Sequence, residues 1–266
     1  MNRAAAPFAL GDGPDACLLL HGLTGSPGEV RPLGEALAAA GIRAVAPLLP
    51  GHGTRPADLA GVTRQDLLAA ATAELAALKG SRRIFLGGLS AGSLLALQLA
   101  GRAPAAGGPS IAALALLAPA VRFTGSTWAF AELLGWFPGP SLVIGKGGRG
   151  IVAPIPAPVD APPPGELPPQ MREDGSYTAI PLSWARELRL LSREALDAAP
   201  RVHSPALILH GGRDDTAAVS GARLLASRLA GNSIRLRVFP ESGHVLPLDR
   251  DSPAVCSAVV SFFREA

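Results

Sequence analysis

Apolar positions along the chain alternate between two patterns, short unbroken runs and stripes that recur every three or four residues. Ala16 to His21 and Ile111 to Leu117 read as short buried strands, and Ile42 to Ala46 (with Arg43), Ile84 to Leu89, Ala206 to His210 and Ile234 to Phe239 (with Arg235 and Arg237) as further strands. Between them lie helical stripes with clear punctuation. Val30, Leu33, Leu37 and Ala40 share a face behind Ser26, Pro27 and Glu29, which predict an N-cap, a first-turn proline and a capping box. Thr63 and Asp66 stand at capping-box spacing ahead of a helix to Leu78, and Gly80 follows its exit. Further helices are expected after Ser90, at about 220–230, and from Pro253 to Phe263 with Ser252 as the cap. Strands and helices in this order predict an α/β protein with a mostly parallel sheet.

The rhythm fails between Val121 and Pro200. No run there reads as a strand, and Ala153 to Pro169 holds eight prolines in 17 residues, a composition that favours extended polyproline geometry. Ser183 to Leu196 is helical in pattern, with Leu188, Leu191 and Ala195 on one face. The expected organisation is therefore a core of residues 1–120 and 201–266, with residues 121–200 inserted as a cap.

Composition narrows the function classes. The chain has 266 residues, 48% hydrophobic and 17% charged, with a net charge of +3. That length and apolar content suit one large core. The basic residues are scattered, so no run tracks a phosphate backbone and no nucleic acid is expected as a partner. Cys17 and Cys256 sit in apolar patterns and read as buried thiols. Met1 to Leu10 lacks the apolar centre of a signal peptide, and Ile111 to Val121 is too short to span a bilayer. A cytoplasmic protein without stable membrane insertion is expected. No metal-ligand motif or dinucleotide fingerprint is visible, so no cofactor or metal is expected.

The chemistry concentrates where the run Ile84 to Leu89 meets a helix. Gly88-Leu89-Ser90-Ala91-Gly92 fits G-x-S-x-G, the nucleophile elbow, which requires a strand before it and a helix after it. A serine hydroxyl becomes a useful nucleophile when a histidine takes its proton and a carboxylate orients that histidine. In elbow hydrolases the chain order is serine, acid, histidine. His244 follows the last strand in Glu241-Ser242-Gly243-His244. The acid is expected after the strand Ala206 to His210, where Asp214 and Asp215 both stand. Asp214 is favoured, because Asp215-Thr216 reads as the start of the next helical segment. An oxyanion needs two backbone N–H donors, expected from Ala91 at the helix N-terminus and from Leu23 in the turn after the first core strand. His52, His203 and His210 read as structural, and His21 as a brace for the turn.

Five segments together resemble a known family. Cys17-Leu18-Leu19-Leu20-His21-Gly22-Leu23-Thr24-Gly25-Ser26-Pro27, Leu49-Pro50-Gly51-His52-Gly53-Thr54, the elbow, His210-Gly211-Gly212-Arg213-Asp214-Asp215, and Ser242-Gly243-His244-Val245-Leu246-Pro247-Leu248-Asp249 resemble bacterial carboxylesterases of the α/β-hydrolase fold, especially the small thermostable carboxylesterases and monoacylglycerol lipases. The resemblance implies that fold, a triad of Ser90, Asp214 and His244, an oxyanion hole at Leu23 and Ala91, and a small-molecule ester as substrate. Those relatives often carry larger side chains where Ala91 and Leu23 stand, which implies a roomier acyl pocket here. An acyltransferase or carbon–carbon hydrolase would use the same triad, and a non-catalytic binding protein would usually have lost one member. The insertion holds Trp128, Trp136, Trp184, Tyr177 and three phenylalanines in a chain with few aromatics. Phe123, Trp128, Leu133 and Leu134 are therefore expected to line the substrate cavity, which would suit short-to-medium acyl chains.

Overall fold

The computed structural model describes residues 5–102, 107–124, 172 and 176–266, together with the backbone of two strands at 142–145 and 151–154. In chain order the elements run β1 (Phe8–Leu10), β2 (Asp15–Leu20), α1 (Arg31–Ala39), β3 (Ile42–Ala46), α2 (Pro56–Leu59) and α3 (Arg64–Ala77). There follow β4 (Ile84–Leu89), α4 (Ala91–Arg102), β5 (Ile111–Leu117), β6 (Leu142–Gly145), β7 (Ile151–Pro154), β8 (Ala179–Pro181) and α5 (Ser183–Ala198). The chain closes with β9 (Ala206–Gly211), α6 (Val219–Arg228), β10 (Ile234–Phe239) and α7 (Ser252–Glu265).

The main sheet has seven strands in the order β1-β3-β2-β4-β5-β9-β10. All neighbours are parallel except β1 on β3. The first crossover runs outward from β2 to β3 and the next returns to β4, so the order reverses beside β2. In open α/β sheets the crevice beyond the strand ends at such a reversal is where ligands bind.

The unbroken apolar runs arise because helices cover both faces of the sheet. All six residues of β2 are buried. Leu18 and Leu20 enter one cluster with Leu86, Leu94, Leu97, Trp184, Leu191 and Leu225. Cys17 and Leu19 enter the other with Leu33, Leu37, Phe85, Val255 and Phe263. Phe263 of α7 stacks on Phe85 of β4, ring centres 4.4 Å apart. Helix α4 is buried from Ala91 to Gly101, because α5 closes over its outer side. Gln98 Nε2 donates to Leu191 O, and a Cβ on Gly101 would come within 3.1 Å of Ala198 O. A helix enclosed by sheet and helix explains a leucine-rich segment with little polar face.

Four sequence expectations need correction. The insertion does contain strands: β6 pairs antiparallel with β7 and with β8, forming a separate three-stranded sheet. Leu142-Val143-Ile144 and Ile151-Val152 are short aliphatic runs rich in Val and Ile, whose signal is hidden by the glycines and prolines around them. Edge strand β1 was also not expected, because three residues are too few for a period. Ser26 caps a 3-10 turn over Pro27–Val30, accepting from Gly28 N, and the α-helix starts only at Arg31. Helix α7 takes Asp251 at its N-cap position, while Ser252 Oγ donates to Pro247 O. By contrast, Thr63 and Asp66 form the expected reciprocal box at the head of α3.

Candidate active site

The elbow lies where β4 passes into α4, at the sheet reversal. Ser90 has φ +56°, the left-handed region that non-glycine residues avoid. Its backbone is held there: Ser90 N donates to Leu117 O at 2.8 Å and Ser90 O accepts from Ser93 N at 3.1 Å. Ser93 Oγ hydrogen-bonds both Gly88 O and Leu117 O, tying the elbow to β5. The turn works only because Gly92 lacks a side chain: its Cβ would fall 2.1 Å from Leu20 O.

That contact also brings the turn after β2 to the serine. A Cβ on Gly22 would stand 3.4 Å from the Ser90 Cβ, so the backbone at His21-Gly22-Leu23 runs beside the hydroxyl. His21 braces it. Nδ1 donates to Gly22 O at 2.9 Å, and Nε2 accepts from Leu49 N at 3.1 Å, which links the turn to the loop after β3. Burial, with some repulsion from His52, pushes the His21 pKa down to about 3, so the ring is neutral. His52 packs edge-on against His21 at 4.9 Å and lies flat beside Tyr177. Burial likewise lowers its pKa, to about 4. Tyr177 OH donates to Gly51 O and accepts from Thr54 N, while Tyr177 N donates to Thr24 O. Thus Tyr177 is a fully buried strut between the two loops beside the elbow. Trp184 is equally buried, its indole N–H on Leu59 O. These two aromatics of the insertion serve the core rather than an open cavity.

The remaining residues come from the loops after β9 and β10. His244 Nδ1 donates to Asp214 Oδ2 at 2.8 Å. Asp214 Oδ1 accepts from Thr216 N and Ala217 N at 2.9 and 2.8 Å, and the side chain is wholly buried. Burial pushes the carboxyl up, but the His244 hydrogen bond and charge and the two backbone donors outweigh it, leaving Asp214 below the usual carboxylate range. With Nδ1–H committed, Nε2 of His244 is the nitrogen left to accept a proton. Asp215 points elsewhere, exposed, with Thr216 Oγ1 on its carboxylate. The next helix, α6, begins only at Val219, so Asp215-Thr216 does not start it, and Asp214 closes a turn on its own loop.

The two loops meet without side chains between them. A Cβ on Gly211 would lie 2.1 Å from Gly243 O, and Arg213 N donates to Ser242 O. The His244 loop is tied from behind, a feature the sequence reading missed. Gly243 N donates to Asp249 Oδ2 and Ser242 Oγ to Asp251 Oδ2, both at 2.7 Å. Acids five and seven residues after a loop histidine were the available signal.

Of the expected cavity residues, Phe123 is half-buried and bridges Ala217 on the Asp214 loop, with Thr124 N on Thr216 O beside it. Trp128, Leu133 and Leu134 lie outside the described residues. Among the described residues, no cluster of three or more His, Cys, Asp or Glu side chains could hold a metal, and no helix is long and apolar enough to cross a membrane.

Known proteins are similar to this chain in sequence and fold. The alpha/beta hydrolase family model matches residues 17–259. A thermostable monoacylglycerol lipase of Bacillus sp. (strain H-257) is 29% identical over 97% of this chain and 94% of its own. A carboxylesterase of Bacillus subtilis (strain 168) is 25% identical over 97% and 96%. Among solved structures, a metagenome-derived lipolytic enzyme from the work on LipS and LipT superposes with a TM-score of 0.81 at 26% identity, covering 99% of both chains. The monoacylglycerol lipase of Paleococcus ferrophilus, at 21% identity and a TM-score of 0.75 over 97% and 98%, shares the fold. A family match from the first core strand into the last helix, over a sheet and an elbow of this form, means that the chain belongs to the alpha/beta hydrolase family.

Proposed function

We propose that the protein is a serine carboxylesterase acting on short-to-medium acyl esters, monoacylglycerols among them, through Ser90, His244 and Asp214. The observation that carries this reading is the 2.8 Å contact between a fully buried carboxylate and His244, on a chain whose elbow serine is held at positive φ. The relatives' names, monoacylglycerol lipase and carboxylesterase, support the substrate class.

Ser90 Oγ attacks the ester carbonyl carbon as its proton passes to His244 Nε2. The negative oxygen of the tetrahedral intermediate is held by the N–H groups of Leu23 and Ala91. As the carbon–oxygen bond to the alcohol breaks, His244 returns the proton to the departing oxygen and leaves an acyl-serine. Water then attacks this acyl group, giving a proton to His244, and collapse releases the acid and restores the Ser90 hydroxyl. Asp214 stays ionised throughout, keeping the imidazole in one tautomer and stabilising its charged form. The insertion, residues 121–200, is proposed to cap the acyl pocket, with Phe123 at its border.

Two measurements test the reading together. A serine-directed phosphonate should label the protein at Ser90, found by peptide mass spectrometry, and Ser90→Ala should lose nearly all hydrolysis while remaining folded. Across p-nitrophenyl esters from acetate to palmitate, kcat/KM should rise with chain length, by about fourfold per buried methylene, and then fall once the pocket is filled. Retained activity in the alanine variant would reject the serine. A steady rise to palmitate would reject the closed pocket.

A further inference from the structure

His210 stands in β9 and takes no part in the steps above. Its side chain is completely buried. Nδ1 lies 3.0 Å from Gly211 O, a separation at which that nitrogen carries the proton, since two lone pairs would repel. In the neutral ring Nε2 is then a bare lone pair, and it has no hydrogen-bond partner among the described residues. It faces Asp214 Oδ2 at 3.8 Å, the same oxygen that accepts from His244. An orphaned buried nitrogen is costly, and its place beside this carboxylate calls for an account.

We propose that His210 is a positioning residue for the Asp214–His244 pair, keeping rival donors off Asp214 Oδ2 when neutral and becoming such a rival when it takes a proton. The inference rests on the triad reading above. In the neutral ring, Nε2 presents an acceptor to the carboxylate. Asp214 Oδ1 is occupied by two backbone donors, so the charge on Oδ2 serves His244 Nδ1–H alone. A proton taken from solvent at His210 Nε2 makes an imidazolium whose new N–H faces Oδ2. A shift of about 1 Å closes 3.8 Å to charge-assisted hydrogen-bond distance, and His244 then shares or loses the group that orients it.

The surroundings leave few competitors. On β10, Val238 stands in register beside His210, and from the β5 side Ala118 N donates to Leu209 O. The charged and titratable groups on the adjoining loops are Asp214, exposed Asp215, His244, the exposed Arg213–Glu241 pair, and Asp249 and Asp251, whose carboxylates accept from Gly243 N and Ser242 Oγ. A proton on His210 would thus act on activity through the orienting partner of His244 and not through the base itself.

The test uses the whole chain. Long-range nitrogen NMR of the nitrogen-15-labelled protein reads the ring nitrogens of His210 and His244 through a pH series. A His210→Phe spectrum assigns the resonances, and circular dichroism monitors the fold. The expected result is a His210 ring protonated at Nδ1 only at alkaline pH, then at Nε2 as well while the protein is still folded, with His244 Nδ1 shifting over the same interval. In parallel, log(kcat/KM) should fall with two protons in the wild type and one in His210→Phe. A neutral ring protonated at Nε2, an Nε2 that stays bare throughout the folded range, or wild-type and variant limbs of equal slope would each overturn the proposal. Should the phenylalanine variant fail to fold, His210→Gln takes its place in both roles and the wild-type nitrogen titration stands by itself. Failure of the triad reading looks different: the phosphonate label falls elsewhere than Ser90, while the His210 titration is unaffected.

Discussion

Residues without functional groups set the geometry of the site. Gly92 and Gly211 are the points where backbones meet too closely for any side chain, against Leu20 O and Gly243 O. Gly92→Ala should cost more than about 3 kcal/mol, because the obstacle is backbone; a urea midpoint unchanged from wild type would contradict the packing. The chemistry at this scale is tested by matched kinetics. Asp214→Asn should lower kcat roughly ten-thousandfold through loss of the His244 orientation, whereas the exposed Asp215→Asn should change it little. The reverse order would move the role to Asp215. The candidates Ser90 and His244 could be named because the strand and helix around the elbow, and a glycine-preceded histidine after the last strand, are local patterns. The Asp249 and Asp251 ties, and the orphaned nitrogen of His210, depend on which loops the fold brings together, and no local pattern carries that.

Elements are held to one another by contacts whose worth depends on burial. At the head of α3, Thr63 caps the helix in the open, while Arg64 reaches α5. Its backbone N–H and Nη1 both donate to Glu187 Oε2 at 3.0 Å, and its Nε donates to Glu194 Oε1 at 2.8 Å. The Glu187 side chain is only 12% exposed, so removing the guanidinium leaves a nearly buried charge with the backbone N–H at position 64 and the longer 3.9 Å contact to Arg186. Thr63→Ala should therefore cost about 1 kcal/mol, and Arg64→Ala about 3 kcal/mol. Thermal or urea denaturation of the two variants checks the ranking, and equal losses would mean that the pair contributes no more than a surface bridge. Core strands and the α3 cap were readable from the sequence because period and cap are short-range signals. The small sheet was not, since β6, β7 and β8 are three or four residues long and derive their stability from one another.

At the scale of the whole molecule, acid is the expected weakness. His21 and His52 are held neutral by burial, with pKa values of about 3 and about 4 against an ordinary 6.5. Their folded values lie below their unfolded ones, so the unfolded chain takes up protons first as pH falls. Stability is fully present above 6.5 and is lost progressively towards 4 and 3. Asp15 adds to this lower down. Hydrogen bonds from Arg82, with Arg83 beside it, hold its carboxyl well below the usual range against the effect of burial. That stability is present above the unfolded value and disappears as pH drops through the folded one. Urea midpoints measured over a pH series should decline from neutrality to about pH 4, and a flat series would mean that these rings are solvated.

The stacking of Phe263 on Phe85 has a consequence in time. During synthesis β4 and its elbow leave the ribosome long before α7, and until α7 arrives the Phe85 side of the sheet has no ring against it. His244 follows β10 and is likewise made well after the elbow. The elbow therefore meets both its backing ring and the proposed base only once the segment from β10 through α7 has been added.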